Sequence, residues 1–124
     1  MMTTKTTILI VDDENPIREL LRLYFEKEQF EVLEAENGAQ AMTIFEEKKP
    51  DIIILDIMMP MVDGFATLEQ IRKDDNLQHT KVMFLSAKNK ESDIEKGIAL
   101  GADAYMTKPF SIKKVVEKVE VLLL

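Results

Sequence analysis

Pro50-Asp51-Ile52-Ile53-Ile54-Leu55-Asp56 is the stretch on which the fold turns. Its four central residues are apolar without alternation, the pattern of a parallel strand covered on both faces. A proline stands before the run and a carboxylate directly after it. The pattern recurs outward in both directions. Ile8-Leu9-Ile10-Val11 and Val82-Met83-Phe84-Leu85 are equally apolar, and Ala104-Tyr105-Met106 makes a fifth short run. Phe30-Glu31-Val32-Leu33 places Glu31, and then Glu34, among its apolar residues, and so reads as an edge strand.

Between the runs the period becomes helical. Asn15-Pro16 reads as an N-cap followed by proline at the first helical position, with Ile17, Leu20, Leu21, Tyr24 and Phe25 marking one face. Asn37 can cap a second helix carrying Ala41, Ile44 and Phe45, stopped by Pro50. A third carries Phe65, Leu68 and Ile71. The fourth carries Ile94 and Ile98 and ends at Gly101, a suitable C-cap. Ser111 can cap the fifth, with Val115, Val119 and Leu122 facing inward. Strand–helix alternation with short connections predicts right-handed βαβ units and an open, doubly wound parallel α/β sheet. Residues 1–124 are expected to form one domain, since a chain of 124 residues supports a single core of ordinary size.

Composition narrows the function. The chain is 46% hydrophobic and 31% charged, with a formal net charge of −7. No apolar run approaches the roughly 20 residues of a membrane span, so no membrane role is expected. Met1-Met2-Thr3-Thr4-Lys5-Thr6-Thr7 has no apolar signal-peptide core, which points to a cytoplasmic protein. With no cysteine and only one histidine, disulfides, thiolate zinc sites, cysteine nucleophiles and His-based triads lack material. That histidine, His79, sits among Asn76, Gln78 and Thr80 and is expected to face solvent. The acidic balance argues against direct nucleic-acid binding.

In doubly wound sheets ligands bind beyond the carboxyl ends of the strands. Those ends carry Asp12-Asp13-Glu14, Asp56, Ser86 and Lys108-Pro109. Asp12, Asp13 and Asp56 cannot share one pocket fully ionised without a cation. An all-oxygen site with few carboxylates suits Mg²⁺, which keeps waters and often takes a ligand from a phosphate. Lys108 and the metal together could neutralise a phosphoryl group in transit, and Ser86 could hydrogen-bond one of its oxygens. One carboxylate would then be the nucleophile, so the residues point to Mg²⁺-dependent phosphoryl transfer to an aspartate.

Four motifs in order, Asp12-Asp13, Asp56-Ile57-Met58-Met59-Pro60-Met61-Val62-Asp63-Gly64, Leu85-Ser86-Ala87 and Gly101 through Phe110, resemble the receiver domain of two-component response regulators, of the chemotaxis-regulator type. The likeness runs from about Ile8 to the last helix. It implies a flavodoxin-like (βα)5 fold with a five-stranded parallel sheet in the order 2-1-3-4-5. It implies a signalling switch in which Asp56 accepts a phosphoryl group from a sensor histidine kinase or a histidine phosphotransfer protein. Such a protein is not an enzyme with turnover, since it catalyses only its own phosphorylation and dephosphorylation.

The resemblance also assigns roles. Mg²⁺ (or Mn²⁺) would be held by Asp13, Asp56 and the backbone carbonyl of Met58, with Asp12 acting through water. Lys108 would bind a phosphoryl oxygen, aimed by a cis peptide to Pro109. Ser86 would move onto the phosphoryl group and Tyr105 would swing into the vacated space. The face built from the fourth helix, fifth strand and fifth helix would then change for a downstream effector, a fused output domain or a phosphorylation-dependent homodimer. Met58 and Lys88, two residues beyond Asp56 and Ser86, flank the path of the hydrolytic water in this family and would tune the phosphoryl lifetime. Met58, Met59 and Met61 cluster in one loop, as an adaptable surface or as loop packing.

Two other readings use the same fold class. A haloacid-dehalogenase-type phosphatase is also Asp-based and Mg²⁺-dependent, but it requires an acidic residue where Met58 stands and a nucleophile after the first strand. A flavodoxin needs an uncharged phosphate cradle after its first strand, where Asp12-Asp13-Glu14 would repel phosphate. The acidity is also lopsided: residues 1–85 hold more acid than base, while residues 86–124 are near neutral and rich in lysine.

Overall fold

The computed structural model describes residues 5–74 and 79–124. Met1 to Thr4, and Asn76 and Gln78 beside the exposed His79, lie outside the described residues. Five strands alternate with five helices: β1 (Thr7–Val11), α1 (Asn15–Lys27), β2 (Glu31–Ala35), α2 (Gly38–Lys48), β3 (Ile52–Leu55), α3 (Gly64–Lys73), β4 (Lys81–Ser86), α4 (Glu91–Ala99), β5 (Ala104–Thr107) and α5 (Ile112–Leu122). All pairings are parallel and the order is β2-β1-β3-β4-β5, with β2 at the edge as its alternation predicted.

The continuous apolar runs follow from burial on both faces. Successive side chains of a strand point to opposite sides. Leu9, Val11, Ile53, Leu55, Val82 and Phe84 accordingly pack with Phe45 of α2 and Phe65, Leu68 and Ile71 of α3. Ile8, Ile10, Ile52, Ile54, Met83 and Leu85 pack with Leu21 and Phe25 of α1 and Val115 and Val119 of α5. A one-residue slip would exchange the two sets, so register is fixed by two cores at once. Ile52 pairs with Ile8 on one side and Lys81 on the other.

The caps at Asn37 and Ser111 form as their residue types require: each side-chain oxygen accepts from the backbone N–H three residues on, Gln40 and Lys114. Asp63 does the same for α3, accepting from Ala66 N–H at 2.9 Å. The start of α1 differs from expectation. Asn15 is already helical and Glu14 holds the N-cap position without a side-chain bond, because the Asn15 carboxamide accepts from the Arg18 guanidinium instead. Two helix faces are narrower than their periodicity suggested. Leu20 of α1 and Ile98 of α4 are about half exposed (49% and 48%). Leu21 and Phe25 suffice to seat α1. The only buried residue of α4 is Gly97, whose bare Cα lies against the rings of Phe84 and Tyr105. That helix ends at Ala99 with Leu100 as its cap. Gly101 stands one residue beyond, at φ +110, a conformation that L side chains rarely adopt.

Candidate functional site

Parallel pairing brings the ends of four strands to one edge, and backbone hydrogen bonds hold them together. Asp56 N–H donates to Val11 O at 2.9 Å, joining the end of β3 to β1, and Asp12 N–H donates to Ala35 O at 3.1 Å. Lys108 N–H donates to Ser86 O at 2.8 Å, joining the end of β5 to β4. The functional side chains therefore stand on the last bonds of the sheet rather than on mobile loops. The peptide bond from Lys108 to Pro109 is cis.

Asp12 and Asp56 are almost wholly buried, at 3% exposure each, while Asp13 is exposed. One carboxylate oxygen from each of the three lies within 4.8 Å of the others. The Lys108 ammonium bridges the two buried acids, donating to Asp12 Oδ2 at 2.8 Å and Asp56 Oδ2 at 3.3 Å. The remaining carboxylate oxygens also have partners: Asp12 Oδ1 accepts from Glu14 N–H at 2.9 Å, and Asp56 Oδ1 from Met58 N–H at 3.3 Å.

Burial and the neighbouring Asp12 charge push the Asp56 carboxyl above its ordinary range, against the attraction of Lys108 and the Met58 N–H. Burial alone would lower the Lys108 ammonium. Its hydrogen bond to Asp12 and the charges of Asp56 and Asp12 outweigh that and leave it raised, so it is a firm cation at neutral pH. Three carboxylates against one ammonium make a donor set of hard oxygens with charge to spare. Those residues fit a small divalent cation, which would remove the repulsion that Lys108 relieves only in part.

Ser86 is fully buried, and its Oγ accepts from Lys88 N–H at 3.3 Å. Tyr105 is folded against the β4–α4 loop: its hydroxyl donates to Lys88 O at 2.7 Å, and its ring lies 5.7 Å from that of Phe84. Burial, with Asp93 and Asp56 adding negative charge nearby, pushes the phenol up to about 12. The Lys88 ammonium lies 4.0 Å from Asp93 at the start of α4. The strand-end residues Asp12, Asp13, Asp56 and Lys108 are thus gathered into one pocket, with Ser86 and Tyr105 linked through Lys88 on the β4–β5 side. Met58, whose N–H meets Asp56 Oδ1, has a 55% exposed side chain.

Two contributors escaped the sequence. Arg18 reaches back from α1, donating to Asp12 O at 2.6 Å and pairing with Glu34 at 3.4 Å, which fixes the β1–α1 loop. Its spacing from Asp12 matches no local motif. Gly64 closes the motif that follows Asp56, but nothing in that spacing indicates what it touches. A Cβ there would lie 2.3 Å from the Asp56 carbonyl oxygen and 2.7 Å from Ile57 Cα, so the start of α3 presses directly on the strand end bearing Asp56.

Comparison with known proteins agrees with this geometry. The family profile described as "Response regulator receiver domain" matches residues 8–120. The transcriptional regulatory protein ResD of Bacillus subtilis is 44% identical over 121 residues, which are 98% of this chain and 49% of that protein. The phosphate regulon transcriptional regulatory protein PhoB of Pseudomonas aeruginosa is 40% identical over 117 residues, covering 94% of this chain and 51% of that protein. The chain thus spans about half the length of these curated relatives. Among solved structures, the Vibrio cholerae chemotaxis protein CheY4 superposes with a TM-score of 0.92 at 25% identity, covering 97% of this chain and 100% of the other. The receiver domain of Francisella response regulator 1452 gives 0.89 at 32% identity, covering 96% and 97%. These matches lend no support to the dehalogenase-type phosphatase.

Proposed function

Because this chain belongs to the response regulator receiver domain family, we propose that Asp56 is its phosphoryl acceptor. The observation that carries this is the Lys108 ammonium held between two buried carboxylates at the strand ends. Asp56 is the acid at the end of the central strand β3. In the transfer an oxygen of Asp56 attacks phosphorus while the phosphorus–nitrogen bond of a phosphohistidine breaks. The imidazole leaves with the electron pair, and an acyl phosphate remains on Asp56. Lys108 keeps its contact with Asp12 and meets a phosphoryl oxygen in place of the Asp56 carboxylate. Mg²⁺ (or Mn²⁺), held by Asp13, Asp56 and the Met58 carbonyl, with Asp12 through water, would neutralise charge on the transferring phosphoryl oxygens.

The Ser86 hydroxyl then turns from Lys88 N–H to the phosphoryl group, and Tyr105 exchanges its bond to the Lys88 carbonyl for a new position. Those two bonds tie the pocket to β5 and to the loop that leads into α4, which is the route by which a local charge change reaches a partner. An apolar groove of Pro16, Ile17, Leu20, Pro109, Phe110 and Ile112 lies beside Lys108, whose ammonium contacts Asp56. A sensor histidine kinase or phosphotransfer protein would present its phosphohistidine there. The output is a fused domain or separate effector, as the doubled length of the relatives suggests, with a phosphorylation-dependent homodimer as one form of it. We place the chain in the cytoplasm as a switch rather than a turnover enzyme; among the described residues no helix is long and apolar enough to cross a membrane.

The test is incubation with a small acyl-phosphate donor and Mg²⁺, followed by intact-mass measurement. One phosphoryl group should appear, be lost to hydroxylamine, and be absent from Asp56→Asn and from chelator-treated protein. Label that persists on Asp56→Asn would overturn the assignment.

A further inference from the structure

Among the described residues the strongly exposed methionines are confined to one loop, and that loop borders Asp56. Met58 is 55% exposed and Met61 95%, whereas Met59 is 9% exposed and Met83 is fully buried. Met42 and Met106 are only partly exposed. Thioether oxidation follows exposure, so among the described methionines those of this loop are the first that an oxidant meets. Met61, the more exposed of the two, stands five residues from Asp56 at φ +70. Met58 is different, because its own N–H donates to Asp56 Oδ1 at 3.3 Å. Its side chain therefore stems from the residue whose backbone touches the acceptor carboxylate, and it is open to solvent.

We propose that Met58 is an oxidation-sensitive control site, at which a peroxide-class oxidant shortens the lifetime of the phosphoryl group; this rests on Asp56 being the acceptor. The peroxide O–O bond breaks, one oxygen is transferred to the thioether sulfur, and the oxidant leaves as water or an alcohol. Sulfur loses two electrons and the peroxide gains them, with no net proton change. The thioether is a poor acceptor that leaves water beside it unoriented. The sulfoxide oxygen is a strong hydrogen-bond acceptor on the same flexible stem. It can hold a water beside the acyl phosphate, and one such net hydrogen bond corresponds to about a two- to tenfold change in rate. Reduction by methionine sulfoxide reductases restores the thioether, so the change is reversible.

The experiment uses the whole chain, treated with hydrogen peroxide under native conditions and mapped by peptide mass spectrometry. Oxidised and untreated protein are then phosphorylated with a small acyl-phosphate donor, freed of donor, and followed for loss of the group. Wild type and Met61→Leu should dephosphorylate faster once Met58 carries oxygen, by about two- to tenfold. Met58→Leu should show no change on oxidation, and Met58→Gln should dephosphorylate faster than Met58→Leu without oxidant. An unchanged rate in oxidised wild type, or an equal change in Met58→Leu, overturns the proposal while leaving the acceptor assignment standing. Failure of untreated protein to take up any phosphoryl group overturns both.

Discussion

Replacing Lys108 with methionine removes the ammonium from between Asp12 and Asp56 while keeping most of the side-chain volume. That ammonium stands 2.8 Å from Asp12 and 3.3 Å from Asp56, among side chains only 4% exposed on the acids and 13% on the lysine. At an effective dielectric constant of about 20 each pair contributes roughly 5–6 kcal/mol of gross attraction. Two carboxylates within 4.8 Å then repel by roughly 3.5 kcal/mol or more. Recovery of the lysine's hydration offsets much of this, and removal of one partner from a buried ion pair typically costs about 3–5 kcal/mol. We therefore expect Lys108→Met to lose about 3–5 kcal/mol at pH 7 without added metal.

The pH dependence identifies the cause. Asp56 already sits above its ordinary value of 3.8 through burial and the Asp12 charge, and loss of Lys108 removes a lowering influence. A carboxyl whose folded value exceeds its unfolded value binds more protons in the folded state. Stability then falls as pH rises from the unfolded value through the folded one. The variant should approach wild type near pH 4 and diverge from it toward pH 7. Urea unfolding at the two pH values, with unchanged slope, measures this. Mg²⁺ should stabilise the variant more than the wild type if the acids bind it. A loss below about 1 kcal/mol at pH 7, or an equal loss at both pH values, would refute the electrostatic account.

The same reasoning gives Asp56→Asn the opposite sign. Without metal it should melt above wild type at pH 7, and calorimetry should show the difference shrinking as pH falls through the folded value of Asp56 and vanishing below its ordinary value of 3.8. Met58→Asn should shorten the phosphoryl lifetime about two- to tenfold, since the amide can orient water where the thioether cannot; a lifetime no shorter than wild type would count against it. Gly101→Ala should cost about 1–3 kcal/mol in chemical denaturation, because φ +110 strains any Cβ and the new atom would meet Arg72 at 3.1–3.4 Å. That arginine donates to the Gly101 and Thr80 carbonyls, so the loss should extend to the α4–β5 corner.

Strand count, the edge position of β2 and the pocket's principal side chains were all legible in the order of residues along the chain. Period and position carry that information: runs such as Ile52–Leu55 have no polar face to offer solvent, and a parallel sheet places whatever follows each run at one edge. Asp12, Asp56, Ser86 and Lys108 could be picked out for that reason. How those residues are set is a matter of packing between elements distant in the chain. Arg18 braces the Asp12 carbonyl across a gap no local motif encodes. Gly64 is needed because a helix start meets the Asp56 carbonyl. Leu20 and Ile98 follow a helical period, yet remain half exposed because neighbouring Leu21 and Gly97 make the contact with the sheet. The direction of each charge shift belongs to the same class. Asp56 is raised toward its protonated form by its depth and by the charge of Asp12, against the pull of Lys108, and only the fold sets those distances.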